Sequence, residues 1–234
     1  MSYHVCLDPG HYSGIAGKRS PDGTYAEHEF NLDMARRMKK RLEGCGVKVT
    51  LTRDKDVDVS LEQRVAIANK IKGLDLFVSI HTNAATNGWS CAKGYVVYTS
   101  QAGDAAKRNI AARAILKQAK AAGITIRNGG LAHSLFFVLR YTAAPAVLIE
   151  HGFHTSRDEV ALLKTDAYRQ KLAEADCKGI CDYLGVPWSD ETATGEKDYR
   201  EAVKSRFGLT DVTMEHLAAY QYGDELLKKL ATKK

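Results

Sequence analysis

The chain has 234 residues, 44% hydrophobic and 26% charged, which is enough to bury a full core in one domain and too apolar for a disordered polymer. Its net charge of 34 − 28 = +6 favours an anionic partner, either nucleic acid or a bacterial wall with its carboxylates and phosphodiesters. No run approaches the ~20 apolar residues needed to cross a bilayer, and the five cysteines, Cys6, Cys45, Cys91, Cys177 and Cys181, lack a CxxC pair and read as reduced thiols.

The chain opens MSYHVCLDPGH, so a short buried strand over 5–8 begins almost at once, with no basic and apolar leader before it. A glycine-rich loop runs to about residue 26. From Glu29 to Glu43 the residues Phe30, Met34, Met38 and Leu42 recur every four positions, which predicts one apolar helix stripe ended at Gly44 to Gly46. Val47 to Leu51 is a second strand. Ser60 and Gln63 have the form of a capping box, opening a helix with Leu61, Val65, Ala68 and Ile71 on one face. Leu74 to Ile80 is a continuous apolar strand of the doubly covered parallel kind, followed by a strand from Gly94 to Thr99. An alanine-rich helix spans Asp104 to Ala122, a last central strand Ala146 to Ile149, and a closing helix about Asp166 to Leu184, where Cys177 and Cys181 serve packing. This alternation predicts an α/β fold, a three-layer sandwich with a largely parallel twisted sheet, whose ligands gather at the carboxyl ends of the strands.

Four residues fall where such a sheet gathers its loops: His11 in DPGH, Glu27 in AEHEFNL, His81 in SIHTNA and Glu150 in LIEHGF. Two imidazoles and a carboxylate make the ligand set of a catalytic zinc site with an open position, and a further carboxylate can serve as base. The same set also suits iron(II).

In order along the chain, DPGH, Glu27 ahead of Asn31-Leu32, LTRD (51–54), VSLEQR (59–64), LFVSIHTNA (76–84), GYVVY (94–98) and PAVLIEHGF (145–153) resemble the zinc N-acetylmuramoyl-L-alanine amidases of the amidase-3 type, found in bacterial autolysins and phage endolysins. The resemblance covers roughly residues 4 to 185. It implies that His11, Glu27 and His81 hold one zinc ion and that Glu150 is the catalytic carboxylate. The implied reaction is hydrolysis of the amide between the lactyl group of N-acetylmuramic acid and the L-alanine of the stem peptide in peptidoglycan. It also implies an arginine near the cleft, here Arg140, able to pair with a stem-peptide carboxylate. Asn83 is expected to touch substrate or shape the loop after His81, and Trp89 to stack on sugar or pack its own loop. Asp8 either orients His11 or caps the turn. His151 and His154, flanking Glu150, are expected to support the site from behind or to face solvent.

After Val186-Pro-Trp188 the polar stretch SDETATGEKD lacks an apolar period. The expected division is a catalytic domain over 1–187, a linker over 188–197 and a small helical appendage over 198–234, with helices at Tyr199 to Phe207, Thr210 to Tyr222 and Asp224 to Leu230. Below ~40 residues such an appendage needs a partner surface, whether the amidase domain, a second copy or anionic wall polymers. Synthesis in the cytoplasm without a signal peptide, followed by holin-mediated or lytic release, is expected. Two other classes remain open: a zinc peptidase or carboxypeptidase cutting another stem amide, and a wall-binding module without catalysis, which would have no need of Glu150. No nucleic-acid-binding signature stands out.

Overall fold

The structure, a computed structural model, describes residues 3–101, 103, 106–189, 199–210, 213, 229 and 230. In chain order the elements are β1 (His4–Pro9), α1 (Glu27–Gly44), β2 (Lys48–Leu51), α2 (Leu61–Lys70), β3 (Leu76–Asn83), β4 (Tyr95–Thr99), α3 (Lys107–Ala121), β5 (Ile126–His133), α4 (Phe137–Tyr141), β6 (Ala146–Phe153), α5 (Arg157–Leu163), α6 (Asp166–Leu184) and α7 (Tyr199–Phe207). The sheet runs β2-β1-β3-β6-β4-β5. The first four strands in that order are parallel, β4 turns antiparallel against β6, and β5 runs parallel to β4. The expected largely parallel sheet is present.

Alternation along the central strands divides two cores. Val5, Leu7, Val78, Ile80, Val147 and Ile149 point into the larger one, shared with the α1 stripe Phe30, Met34, Met38 and Leu42 and with α3 and α6. Cys6, Phe77, Ala146 and Leu148 face the other way, against Val65 and Ala68 of α2 and Val138 and Leu139 of α4. A sheet covered on both faces needs apolar residues at successive positions, which is why these strands read as unbroken runs. Cys177 and Cys181 lie buried in α6 as free thiols, and burial pushes Cys181 up to about 12. No helix among the described residues is long and apolar enough to cross a membrane.

Several expectations are corrected. The capping box forms, with Gln63 N–H donating to Ser60 Oγ at 3.3 Å and Ser60 N–H to Gln63 Oε1 at 2.8 Å, but Leu61 is 50% exposed. At the first helical position it lines the cleft instead, and Arg64 takes the buried place beside Val65 and Ala68. β3 and β6 run further than expected, so His81 and Glu150 stand within their strands, paired across from each other in register. β5 is an added edge strand. Its sequence Asn128-Gly129-Gly130 looks like a turn, and all three residues have positive φ, bending the strand where its register against β4 shifts. The short helices α4 and α5, five and seven residues, are also additions. In the tail, α7 matches the expected first helix, and the segments expected at 210–222 and 224–230 fall almost wholly outside the described residues.

Candidate metal centre and active site

The loop after β1 places His11. Gly10 comes so close to β3 that a Cβ there would lie 2.1 Å from His81 Cε1, so only glycine lets the two imidazole-bearing segments meet. Donors grip this loop from below: Arg53 Nε reaches the Pro9 carbonyl at 2.9 Å, and the Gly10 carbonyl accepts from Arg53 Nη2 at 3.0 Å and Asn31 Nδ2 at 3.1 Å. Held this way, His11 adopts a φ of 59°, a left-handed conformation uncommon for a residue with a side chain.

Asp8 does not orient His11. It is buried and accepts from Thr52 Oγ1 at 2.6 Å, Arg64 Nη1 at 2.6 Å and Ser79 Oγ at 2.7 Å. Burial opposes its charge, yet the Arg64 guanidinium and these hydrogen bonds hold its carboxyl below the usual range. Its part is to tie β1, β3 and α2 together beneath the cleft.

Glu27 is the first residue of α1, and its N–H donates to the Lys18 carbonyl at 2.9 Å. Its Oε1 lies 2.9 Å from His81 Nδ1 and 3.4 Å from His11 Nε2, and accepts the Thr82 N–H at 3.2 Å. One ligand atom from each of His11, Glu27 and His81 lies within 4.8 Å of the others. Burial would raise Glu27, but hydrogen bonding to His11 and His81 holds its carboxyl well below the ordinary range. Its second oxygen, Oε2, is buried with no hydrogen-bond partner among the described residues, His154 Nδ1 standing 3.9 Å away. Two imidazoles, one ionised carboxylate and an unpartnered buried oxygen fit a divalent cation.

Glu150 on β6 lines the same cleft of about 450 Å³, and its Oε2 is likewise buried without a partner. Burial, reinforced by the Glu27 charge, pushes its carboxyl well above the ordinary range, with Lys18 working in the opposite direction. One carboxylate is thus driven down and its neighbour up, the pattern by which two acids in one site take separate roles.

His151 and His154 are both 1% exposed, so neither faces solvent. His151 backs the site: Nδ1 lies 3.0 Å from the His81 carbonyl and Nε2 2.7 Å from Asp176, which also accepts from Tyr95 OH at 2.6 Å. His154 lines the cleft. Its Nδ1 sits 3.0 Å from the Thr82 carbonyl, which can only accept, so the proton is on Nδ1 and the unpartnered Nε2 is left as an acceptor.

Of the expected substrate contacts, Asn83 lines the cleft while its Oδ1 accepts the Ala84 N–H at 2.8 Å, shaping the loop. Trp89 is not in the cleft lining; it packs against the larger core with the Arg157 guanidinium 4.3 Å from its ring centroid. Arg140 is exposed on α4, beside Tyr141, and is also outside the lining. The cleft instead recruits Lys18 from the glycine-rich loop and an apolar rim of Ile15, Phe136 and Phe137, joined by Leu61, which was expected in the core. No periodicity marks a loop lysine as facing a cleft.

Residues 5–182 match the amidase-3 family, described as N-acetylmuramoyl-L-alanine amidase. Among relatives, the chain is 35% identical over 192 residues to an endolysin of Bacillus phage SPP1, covering 80% of this chain and 68% of that protein. It is 33% identical over 179 residues to the N-acetylmuramoyl-L-alanine amidase LytC of Bacillus subtilis, covering 76% of this chain but only 35% of LytC. Among solved structures, the catalytic domain of CwlV, an N-acetylmuramoyl-L-alanine amidase from Bacillus (Paenibacillus) polymyxa var. colistinus, superposes with a TM-score of 0.70 at 32% identity over 79% of this chain and 99% of that domain. With the fold, the cluster of His11, Glu27 and His81 and this extent of match in agreement, the chain belongs to the amidase-3 family of N-acetylmuramoyl-L-alanine amidases.

Proposed function

We propose that the protein hydrolyses the amide between N-acetylmuramic acid and the L-alanine of the stem peptide in peptidoglycan, with Glu150 as general base and then general acid. The observation that carries this is Glu150, half-buried with its Oε2 buried and without a hydrogen-bond partner, its carboxyl raised well above the ordinary range, in one cleft with the cluster of His11, Glu27 and His81. His11, Glu27 and His81 would hold a zinc ion, which when bound acts as a Lewis acid toward the amide carbonyl and toward water. Glu150 takes a proton from the attacking water as the bond to the carbonyl carbon forms, then delivers it to the departing L-alanine nitrogen as the amide breaks. A carboxyl raised above its ordinary range suits both halves of that transfer, a contribution of ~10²–10⁴-fold. Asp8, Arg64, Arg53 and Asn31 keep the His11 loop in place and so reduce the reorganisation needed during reaction.

On this reading the enzyme meets the wall after holin-mediated or lytic release, and residues 198–234 dock on anionic wall polymers or on a second copy of the chain. Digestion of purified peptidoglycan, with and without chelator and zinc, tests the activity by mass spectrometry and amino-terminal labelling. New L-alanine amino termini that vanish with chelator and return with zinc are expected. Cleavage at another stem amide would make it a peptidase, and binding without cleavage would remove the catalytic assignment.

A further inference from the structure

Lys18 gives the cleft a cation that this proton transfer does not use. It follows Gly17, whose φ is +77°, and its own carbonyl accepts the Glu27 N–H at 2.9 Å. The next residue, Arg19, forms an antiparallel bridge with Ala26. The backbone at Lys18 and Arg19 is therefore anchored to the start of α1, and the Lys18 side chain lines the same cleft as Glu27. It is half-buried and lines the cleft with His11 and Glu150, and its charge is felt by His11, Glu150 and His154.

Arg64, the other cation in the lining, is bound to Asp8 at 2.6 Å. Lys18 has no hydrogen-bond or ion-pair partner among the described residues. Arg140, the residue that the sequence offers for a substrate carboxylate, stands outside the cleft lining. A lysine that lines a substrate cleft without a protein partner suits an anion on the ligand. Around the scissile amide the lactyl group and the L-alanine carry no charge. The first anion along the stem is the free α-carboxylate of the γ-linked D-glutamyl residue.

We propose that Lys18 binds this α-carboxylate and so makes the enzyme favour walls in which it is free over walls in which it is amidated. This rests on the amidase reading above. Lysine acts there as a point charge on a flexible stem, which suits a carboxylate whose position varies with the peptide's torsions.

The test uses two muropeptides that differ only in a free or an amidated D-glutamyl α-carboxylate, and full-length protein loaded with zinc. Binding is measured in Glu150→Gln, where turnover does not interfere, and kcat and KM in wild type. The free-acid muropeptide is expected to bind about fivefold more tightly, the size of one partly screened charge pair. In the Glu150→Gln, Lys18→Met double variant the ratio should fall to near one, and Lys18→Arg in place of Met should restore most of it. In wild-type turnover the preference should appear in KM. Equal binding of the two muropeptides by Glu150→Gln would overturn the proposal, as would a Lys18→Met effect of the same size on both. Cleavage of a different amide, with the Lys18-dependent preference intact, would overturn the amidase reading alone.

Discussion

At the residue scale, the approach of Gly10 to His81 gives the sharpest test of how the proposed metal site is built. A methyl group there would sit 2.1 Å from His81 Cε1, in a ring that cannot move without leaving Glu27. Gly10→Ala is expected to weaken zinc binding by about 10–100-fold, the usual effect of disturbing the support of a metal ligand. Chelator competition measures it, and unchanged affinity would mean that the loop shifts to accommodate the methyl. Glu150→Gln should keep stoichiometric zinc and lose about 10²–10⁴ in kcat, whereas His81→Ala should lose both metal and activity. Metal analysis alongside muropeptide turnover separates the two, and substantial hydrolysis by Glu150→Gln would remove its assignment as base.

The raised Glu150 carboxyl also has a consequence for stability in metal-free protein. Because its folded pKa lies above its unfolded value of ~4.3, the unfolded chain releases this proton first as pH rises. The stability that it contributes is whole below the unfolded value and is lost as pH climbs through the folded one. Glu150→Gln lacks this loss, while the depressed Glu27 is common to both proteins. The melting temperature of metal-free Glu150→Gln should therefore gain on metal-free wild type as pH rises above about 4.3. A constant offset at every pH would show that burial does not hold the carboxyl neutral.

At the element scale, the contact between α3 and α6 depends on Gly179. A Cβ at that position would meet Ile115 Cα at 2.3 Å and the Ala114 carbonyl oxygen at 2.9 Å, and these are backbone atoms that cannot rotate away. In an open helix, glycine to alanine gains ~1 kcal/mol. Here Gly179→Ala is expected to lower stability by ~1–3 kcal/mol through overpacking, read as a lower urea midpoint. A stabilised variant would show that the two helices are not packed this closely.

The same scale shows what the sequence made legible. Elements with a long apolar period or an unbroken apolar run, α1, β3 and α6, were readable because burial on one or both faces imposes that pattern. β5 was not, since Asn128-Gly129-Gly130 carries a turn composition inside an edge strand. Leu61 is exposed where the helix pattern had it buried, and the burial of Arg64 was not legible because Asp8, distant in sequence, supplies its buried partner. His11, Glu27, His81 and Glu150 were legible as a set through their motifs. Lys18 was not, for its role depends on how the loop closes on α1, and neither was the burial of His154, which depends on the Thr82 carbonyl.

At the scale of the whole molecule, charge divides unevenly between the catalytic domain and the tail. Residues 198–234 carry seven Lys and Arg against six Asp and Glu, 7 − 6 = +1, and residues 1–189 carry 26 − 19 = +7. If the chain is drawn to anionic wall polymers, as proposed, that attraction should lie with residues 1–189, and residues 198–234 should add little to it. Trp188 packs against the larger core, with Lys178 Nζ 5.0 Å from its ring centroid, so a cut after Ser189 keeps that contact. The chain ended at Ser189 is expected to sediment with purified walls as well as the full chain does at low salt, and to be released by salt to the same degree. With Met214, Leu217, Leu226, Leu227 and Leu230 as its apolar content, the tail suits docking on a second copy better than on a charged polymer. Analytical ultracentrifugation should then show a larger species for the full chain than for the shortened one. If shortening instead abolishes sedimentation with walls and leaves the oligomeric state unchanged, the tail is the wall-binding element and its charge is not what binds.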